Sequence, residues 1–186
     1  MKLFWKKYDL LIIPAVILIA LDQWTKALIR QNIPFGESWS PWEWLAPYAR
    51  LVHWNNTGVA FGMLQGYNLV FATLAVIVAA AVVYYYPRVP RTDWVLRLAL
   101  GMQFAGAVGN LLDRIFFGHV TDFISVGDFA VFNVADASIS VGVVVMLLGV
   151  WIHDKRERKE QALESASMAD QNGLEEKPDG SNQESI

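Results

Sequence analysis

Residues 68–86 read NLVFATLAVIVAAAVVYYY, nineteen positions without a single charge. At about 1.5 Å of rise per residue, such a run covers most of the roughly 30 Å hydrocarbon core of a bilayer. Backbone amides have no partner in lipid, so a run that crosses must satisfy its own hydrogen bonds as a helix. Three more apolar stretches, 10–30, 94–112 and 136–153, have similar length, and Pro14 sits near the start of its stretch, where a helix tolerates it. The expected fold is therefore an α-helical polytopic membrane protein with four transmembrane helices.

Composition agrees. Of 186 residues 54% are hydrophobic, more than an ordinary soluble domain carries. The net charge of -3 describes only the end of the chain: the nine acidic and five basic residues from Asp154 onward leave ten basic and nine acidic before it. Residues 154–186 are rich in Glu, Gln, Ser and Asp and hold few large apolar side chains, so they are expected to form a disordered acidic cytoplasmic tail behind a single membrane-embedded domain, 1–153. The chain has no cysteine, which excludes disulfides, thiolate metal sites and a Cys nucleophile. Lys2, Lys6 and Lys7 precede an apolar run with no small-residue cleavage site, so that run reads as a retained first span rather than a removed leader.

Lys and Arg orient the spans. Lys2, Lys6 and Lys7 lie before the first, Arg88 and Arg91 between the second and third, and Lys155, Arg156, Arg158 and Lys159 after the fourth. By the positive-inside rule both termini are cytoplasmic, and the loops 31–67 and 113–135 face outward. In the first outer loop Trp39, Trp42 and Trp44, among Pro41 and Pro47, suit a short interfacial helix at headgroup level. Residues 50–54 then look strand-like, 55–58 (Asn-Asn-Thr-Gly) signal a turn, and 59–62 resume the apolar run. In the second, 121–124 and 129–132 suggest strands about Gly127-Asp128. A small extracytoplasmic β-sheet cradle over the membrane is expected.

Two carboxylates stand out against this background. Asp122, in Val120-Thr121-Asp122-Phe123-Ile124, and Asp136, in Phe132-Asn133-Val134-Ala135-Asp136, lie among apolar residues on the outer side. Ionisable groups there are costly unless paired or functional. Two carboxyls close together in a poorly solvated site can share one proton, which supplies an acid and a base for hydrolysis by water. An ordinary reading exists for Asp136, since Asn133 three positions earlier can cap the fourth helix with Asp136 near N3. The two readings are compatible, and the positive end of the helix dipole favours a charge at Asp136 and leaves the proton to Asp122.

Other polar groups have competing readings. Asp22 and Lys26, spaced i,i+4, form a structural ion pair or support a site. Asp113 and Arg114 end the third span as interfacial anchors, or Arg114 offers its planar fork to a backbone carbonyl or lipid ester. Asn56 and Gly58 either shape a turn or cradle a peptide. The three histidines are dispersed without a His-Glu-x-x-His pair, which argues against a catalytic metal, and Ser138 and Ser140 lack a nucleophile-elbow pattern. A proton- or ion-relaying transporter and a structural membrane subunit are the alternatives to a peptidase; the halves show no convincing internal repeat, as a transporter often does.

Five strings in order, Asp22-Gln23-Trp24-Thr25-Lys26, Asn56-Thr57-Gly58-Val59-Ala60-Phe61, Gly109-Asn110-Leu111-Leu112-Asp113-Arg114, Val120-Thr121-Asp122-Phe123 and Phe132-Asn133-Val134-Ala135-Asp136, resemble the bacterial lipoprotein signal peptidases, or signal peptidase II. The resemblance covers about residues 5–153 and departs at Val59, where Ala is more usual. It implies a catalytic dyad of Asp122 and Asp136, substrate positioning by Asn56, Gly58, Asn110, Arg114 and Asn133, and support from Asp22, Lys26 and Asp113. It also implies the reaction: removal of the signal peptide from a diacylglyceryl-modified prolipoprotein, just before the lipidated Cys. No metal, organic cofactor or nucleic acid enters. The expected setting is a bacterial inner membrane, with membrane lipid as a partner, a monomer as the working unit and the site on the extracytoplasmic side.

Overall fold

The computed structural model describes residues 2–58 and 64–175, with side chains for 8–58 and 64–165; the apolar run expected at 59–62 and the side chains of Lys2, Lys6 and Lys7 lie outside these. Its elements are α1 (Lys2–Asn32), β1 (Ser38–Trp39), β2 (Ala49–Asn56), α2 (Asn68–Tyr85), α3 (Trp94–Phe117), β3 (Val120–Val126) and α4 (Val134–Glu175). Segments Tyr8–Asn32, Asn68–Arg88, Trp94–Phe117 and Val134–Ser165 are each long and apolar enough to cross a membrane. The α2 run extends past Tyr85 by a short 3-10 turn, Tyr86–Arg88, in which Pro87 is tolerated at the start.

Residues 1–149 form one compact unit, and the chain from Val150 a second. Within the first, α3 is the axis. Small residues let its backbone approach its neighbours, the usual device where lipid removes the hydrophobic drive between helices. A Cβ on Gly101 would stand 3.2 Å from the Leu10 carbonyl of α1, and one on Gly106 would stand 2.4 Å from the Ala135 carbonyl of α4. The outward faces of the spans carry Ile13, Ile17, Leu69, Ile77, Val144 and Leu147, all exposed. The interior instead buries Asp22, Lys26, Asn110, Asp113 and Asn133. This polar-in, apolar-out distribution fits lipid as the surrounding solvent.

The outer loops form an antiparallel sheet of order β1-β2-β3. The β2 ladder runs through Asn55 and Asn56, pairing them with Thr121 and Val120, so the expected turn begins later, at Thr57. Phe132 joins Ile124 by a single bridge, with N–H···O distances of 2.8 and 3.1 Å, in place of a full second strand at 129–132. Gly127 turns the chain between them with φ of 51°. Phe123 packs with Ile29 and Ile33 at the outer end of α1, with Leu51, Ile124 and Val134 around them, and this cluster pins the sheet to the helices.

Two local expectations change. Residues 41–48 form consecutive turns, such as Leu45 N–H to the Trp42 carbonyl at 3.1 Å, rather than the expected interfacial helix; Pro47 has no N–H to continue one. Trp42 and Trp44 still stack, exposed, with centroids 5.9 Å apart. Beyond Asp154, where a disordered tail was expected, α4 continues to Glu175. The residues there include many good helix formers, and i,i+4 pairs such as Asp154–Arg158 at 3.0 Å support them without a buried face.

Candidate active site

Asp122 lies in β3 opposite Trp54 of β2, which places it one strand away from Asn56. Its side chain is 2% exposed. Asn56 Nδ2 donates to Oδ2 at 2.9 Å, and Asn133 Nδ2 donates to Oδ1 at 2.7 Å. Burial and, next, the nearby Asp136 push the Asp122 carboxyl up to about 7, against the opposing pull of these two amides and of Lys26.

Asp136 reaches the same place from α4. The Asp136 N–H donates to Asn133 Oδ1 at 2.9 Å, and the Asn133 N–H donates back to Asp136 Oδ2 at 3.1 Å, a reciprocal cap at the helix start. The cap is therefore present, and the residue that makes it also hydrogen-bonds Asp122. Asn133 is the hinge between them: its backbone holds one carboxylate and its amide the other. Asn110 Nδ2 donates to Asp136 Oδ1 at 2.8 Å.

Behind the pair, Lys26 Nζ lies 2.8 Å from Asp22, 3.2 Å from Asp113 and 3.1 Å from Asn110 Oδ1. Asp22 Oδ1 also accepts the Ala135 N–H at 2.9 Å, which ties α1 to the first turn of α4, and Asp113 Oδ2 accepts the Thr121 N–H at 3.0 Å, which ties α3 to β3. These carboxylates thus fix the two elements that carry Asp136 and Asp122.

Arg114 does not touch either aspartate. Its guanidinium donates to the Asn110 carbonyl at 3.3 Å and to the Gly58 carbonyl at 3.4 Å. Gly58 in turn donates its N–H to Asn56 Oδ1 at 2.9 Å, which leaves the Asn56 amide nitrogen facing Asp122.

A cavity of about 460 Å³ opens on these groups, lined by Asn56, Gly58, Asn110, Arg114, Asp122 and Asp136 and by the apolar stretch 129–132. It continues one turn along α4 to Ile139, Ser140 and Val141. All ten residues singled out from the sequence are thus gathered, seven around the cavity (counting Asn133, which joins its two carboxylates) and Asp22, Lys26 and Asp113 behind it. Among the described residues no three His, Cys, Asp or Glu side chains gather as a metal-ligand set.

Some contributors escaped the sequence reading. Gln23 Nε2 sits between Asp22 (3.1 Å), the Gly109 carbonyl (3.1 Å) and Asp113 (3.2 Å). Arg30 donates to Thr121 Oγ1 at 3.0 Å. A polar amide inside an apolar span was the available signal for Gln23; Arg30 and Thr121 have none, because their contact joins residues far apart in sequence.

Known proteins resemble this chain in sequence and in fold. The family model described as signal peptidase (SPase) II matches residues 14–152. The chain is 39% identical over 144 residues to a lipoprotein signal peptidase of Desulfitobacterium hafniense, covering 75% of this chain and 91% of the relative. It is also 39% identical over 158 residues to one from Mesorhizobium japonicum, covering 82% and 90%. A bacterial membrane enzyme solved by the in meso method at 2.3 Å resolution superposes with a TM-score of 0.72 at 30% identity, over 78% of this chain and 89% of that one.

Proposed function

The chain belongs to the signal peptidase II family, and from that premise we propose that Asp122 and Asp136 are the dyad with which it removes signal peptides from prolipoproteins. It is a bacterial multi-pass membrane protease. The observation that carries the dyad is that Asn133 hydrogen-bonds both carboxyls at the mouth of one cavity.

Asp122 holds the shared proton, because burial and its neighbour oppose its ionisation. Asp136, at a helix N-terminus and facing two N–H donors, is the carboxylate. It takes a proton from a water whose oxygen attacks the scissile carbonyl carbon, while Asp122 gives its proton to the carbonyl oxygen. Collapse of the resulting diol returns a proton to Asp122, and Asp136 passes its own to the leaving amine. Atoms balance and both carboxyls regain their starting states. Asn56 and Asn133 keep Asp122 oriented, and the Arg114–Gly58 contact shapes the wall beside it.

The substrate is a diacylglyceryl-modified prolipoprotein, cut before its lipidated Cys. The cavity supports this because it runs from the aspartates along a membrane-spanning helix, where acyl chains and an apolar signal segment both lie. The distribution of Lys and Arg supports cytoplasmic ends and an outward site in the inner membrane; the proposed working unit is a monomer in contact with lipid. The test is cleavage of a lipidated prolipoprotein by purified protein beside its Asp122→Asn and Asp136→Asn variants. Each variant is expected to lose at least about 10³-fold in kcat; full cleavage by either removes the dyad.

A further inference from the structure

The site has a second lobe. Adjoining the first cavity at Asp122 lies a cavity of about 290 Å³, lined by Trp54, Asn56, Gln65, Asp122 and residues 129–131. Both lobes share Asn56, Asp122 and the stretch 129–131, so the carboxyl stands at their junction. Their outer ends differ in place and chemistry. One follows α4 to Val141, inside a membrane-length helix; the other is walled by Trp54 of the sheet and by Gln65, which precedes α2.

Gln65 is held in a defined pose. Its Oε1 accepts the Thr57 N–H at 3.3 Å and lies against the Thr57 hydroxyl, which itself accepts the Gly66 N–H at 3.1 Å. With the oxygen engaged, the Nε2 amide is the end left for a ligand, and it offers two donors and no acceptor. Leu64 and Gly66 on either side are both left-handed, with φ of 54° and 87°. That conformation is unfavourable for leucine, and residues held so are common where a side chain must be aimed. Trp54 stacks on Phe35, centroids 6.1 Å apart, which steadies the facing wall.

A peptide with its scissile bond at Asp122 has its two flanks in the two lobes. The membrane-bound signal segment belongs in the lobe that follows α4, so the chain leaving the membrane after the cut bond enters the outer one. We infer that Gln65 is a specificity-determining residue of the outer lobe, donating from its amide to backbone carbonyls of the extended polypeptide that follows the lipidated Cys. This rests on the prolipoprotein reading above.

Two synthetic lipidated substrates test it: one ending in an amide directly at the lipidated Cys, the other continuing about ten residues further. Gln65→Ala and Gln65→Glu each remove the donors, and Glu keeps the oxygen that meets Thr57. Both variants are expected to lose about tenfold in kcat/KM, mainly through KM, on the long substrate, the size of one lost hydrogen bond. On the short substrate they stay within about twofold of the parent, which also reports that the fold is intact. Equal losses on both substrates would make Gln65 a merely structural loop residue and overturn the inference, as would undiminished cleavage of the long one. Asp122→Asn runs alongside: if it cleaves the short substrate, the dyad fails, whatever Gln65 does.

Discussion

Lys26 Nζ lies 3.1 Å from Asn110 Oδ1 and, together with Asn133 Nδ2 at 3.2 Å, decides which way the Asn110 amide faces. An ammonium offers only donors, so it must meet the amide oxygen, and Nδ2 is left to Asp136. Lys26 is also the only described cation within salt-bridge reach of Asp22. Replacing it by Met leaves the buried Asp22 carboxylate uncompensated, while Asp113 keeps Arg30 at 3.8 Å, and is expected to lower stability by about 3–5 kcal/mol. Thermal unfolding in detergent measures this. Lys26→Met/Asp22→Asn removes that uncompensated charge and should recover much of the stability, yet keep a reduced kcat, because Asn110 Oδ1 then keeps only the Asn133 donor.

The pH profile follows from Asp122. Its acid role needs the proton, which is lost as pH rises through about 7. The kcat/KM of the free enzyme is expected to fall on the alkaline side with a midpoint near that value, about tenfold per unit beyond it. A profile flat to pH 9 with a lipidated substrate would remove the assignment of Asp122 as the acid.

Stability has the opposite partner in Asp122→Asn. The native carboxyl titrates near 7 and the unfolded one near 3.8, so between these values the native state holds a proton that the unfolded state has lost. Stability therefore declines across that window as pH rises, and the loss is complete above it. An amide at 122 carries no such loss. The Asp122→Asn variant is expected to outlast the parent by on the order of 2–4 kcal/mol at pH 8, with the advantage vanishing toward pH 4. Paired melting curves at the two pH values check both sign and window.

Arg114→Lys keeps the charge but has one nitrogen where two are used, at the Asn110 and Gly58 carbonyls. We expect kcat/KM to fall about tenfold or more, with stability changed by less than about 1 kcal/mol. Steady-state cleavage and a melting curve separate the two effects.

Gly106→Ala should harm both fold and reaction. The added Cβ would stand 2.4 Å from the Ala135 carbonyl and 2.5 Å from Ile139, so α4 must move, and Asp136 with it. A loss of about 1–3 kcal/mol accompanies such overpacking. Gly142→Ala, whose nearest neighbours stand at 3.2 Å, is the milder comparison in the same melting and cleavage assays.

The spans were legible because a bilayer imposes length and apolarity on each of them, and the outer strands because residues 50–54 and 121–124 carry strand-forming side chains beside turn signals. The polar residues of the site could be picked out since charge and amide groups are rare in such surroundings. Their connections were not. That Arg114 meets Gly58 rather than an aspartate, and that Gln23 bridges Asp22 to Asp113, depends on how α1 crosses α3 and where the loop after β2 lies, which no local pattern encodes. Residues 129–132 looked like a strand by composition, but among them only Phe132 forms a β-bridge, to Ile124; residues 129–131 instead line both cavities beside Asp122. The helix beyond Asp154 was hidden for another reason: composition argued against a buried core, and an exposed helix needs none.

Asp122 and Asp136 ride on elements that follow one another in the chain, and the Asn133 that joins them begins the last span. During synthesis, then, a polypeptide that has completed three crossings owns one of the two carboxyls and lacks the other. On the dyad proposed above, hydrolytic power arrives only with the insertion of α4, and the unfinished chain is inert.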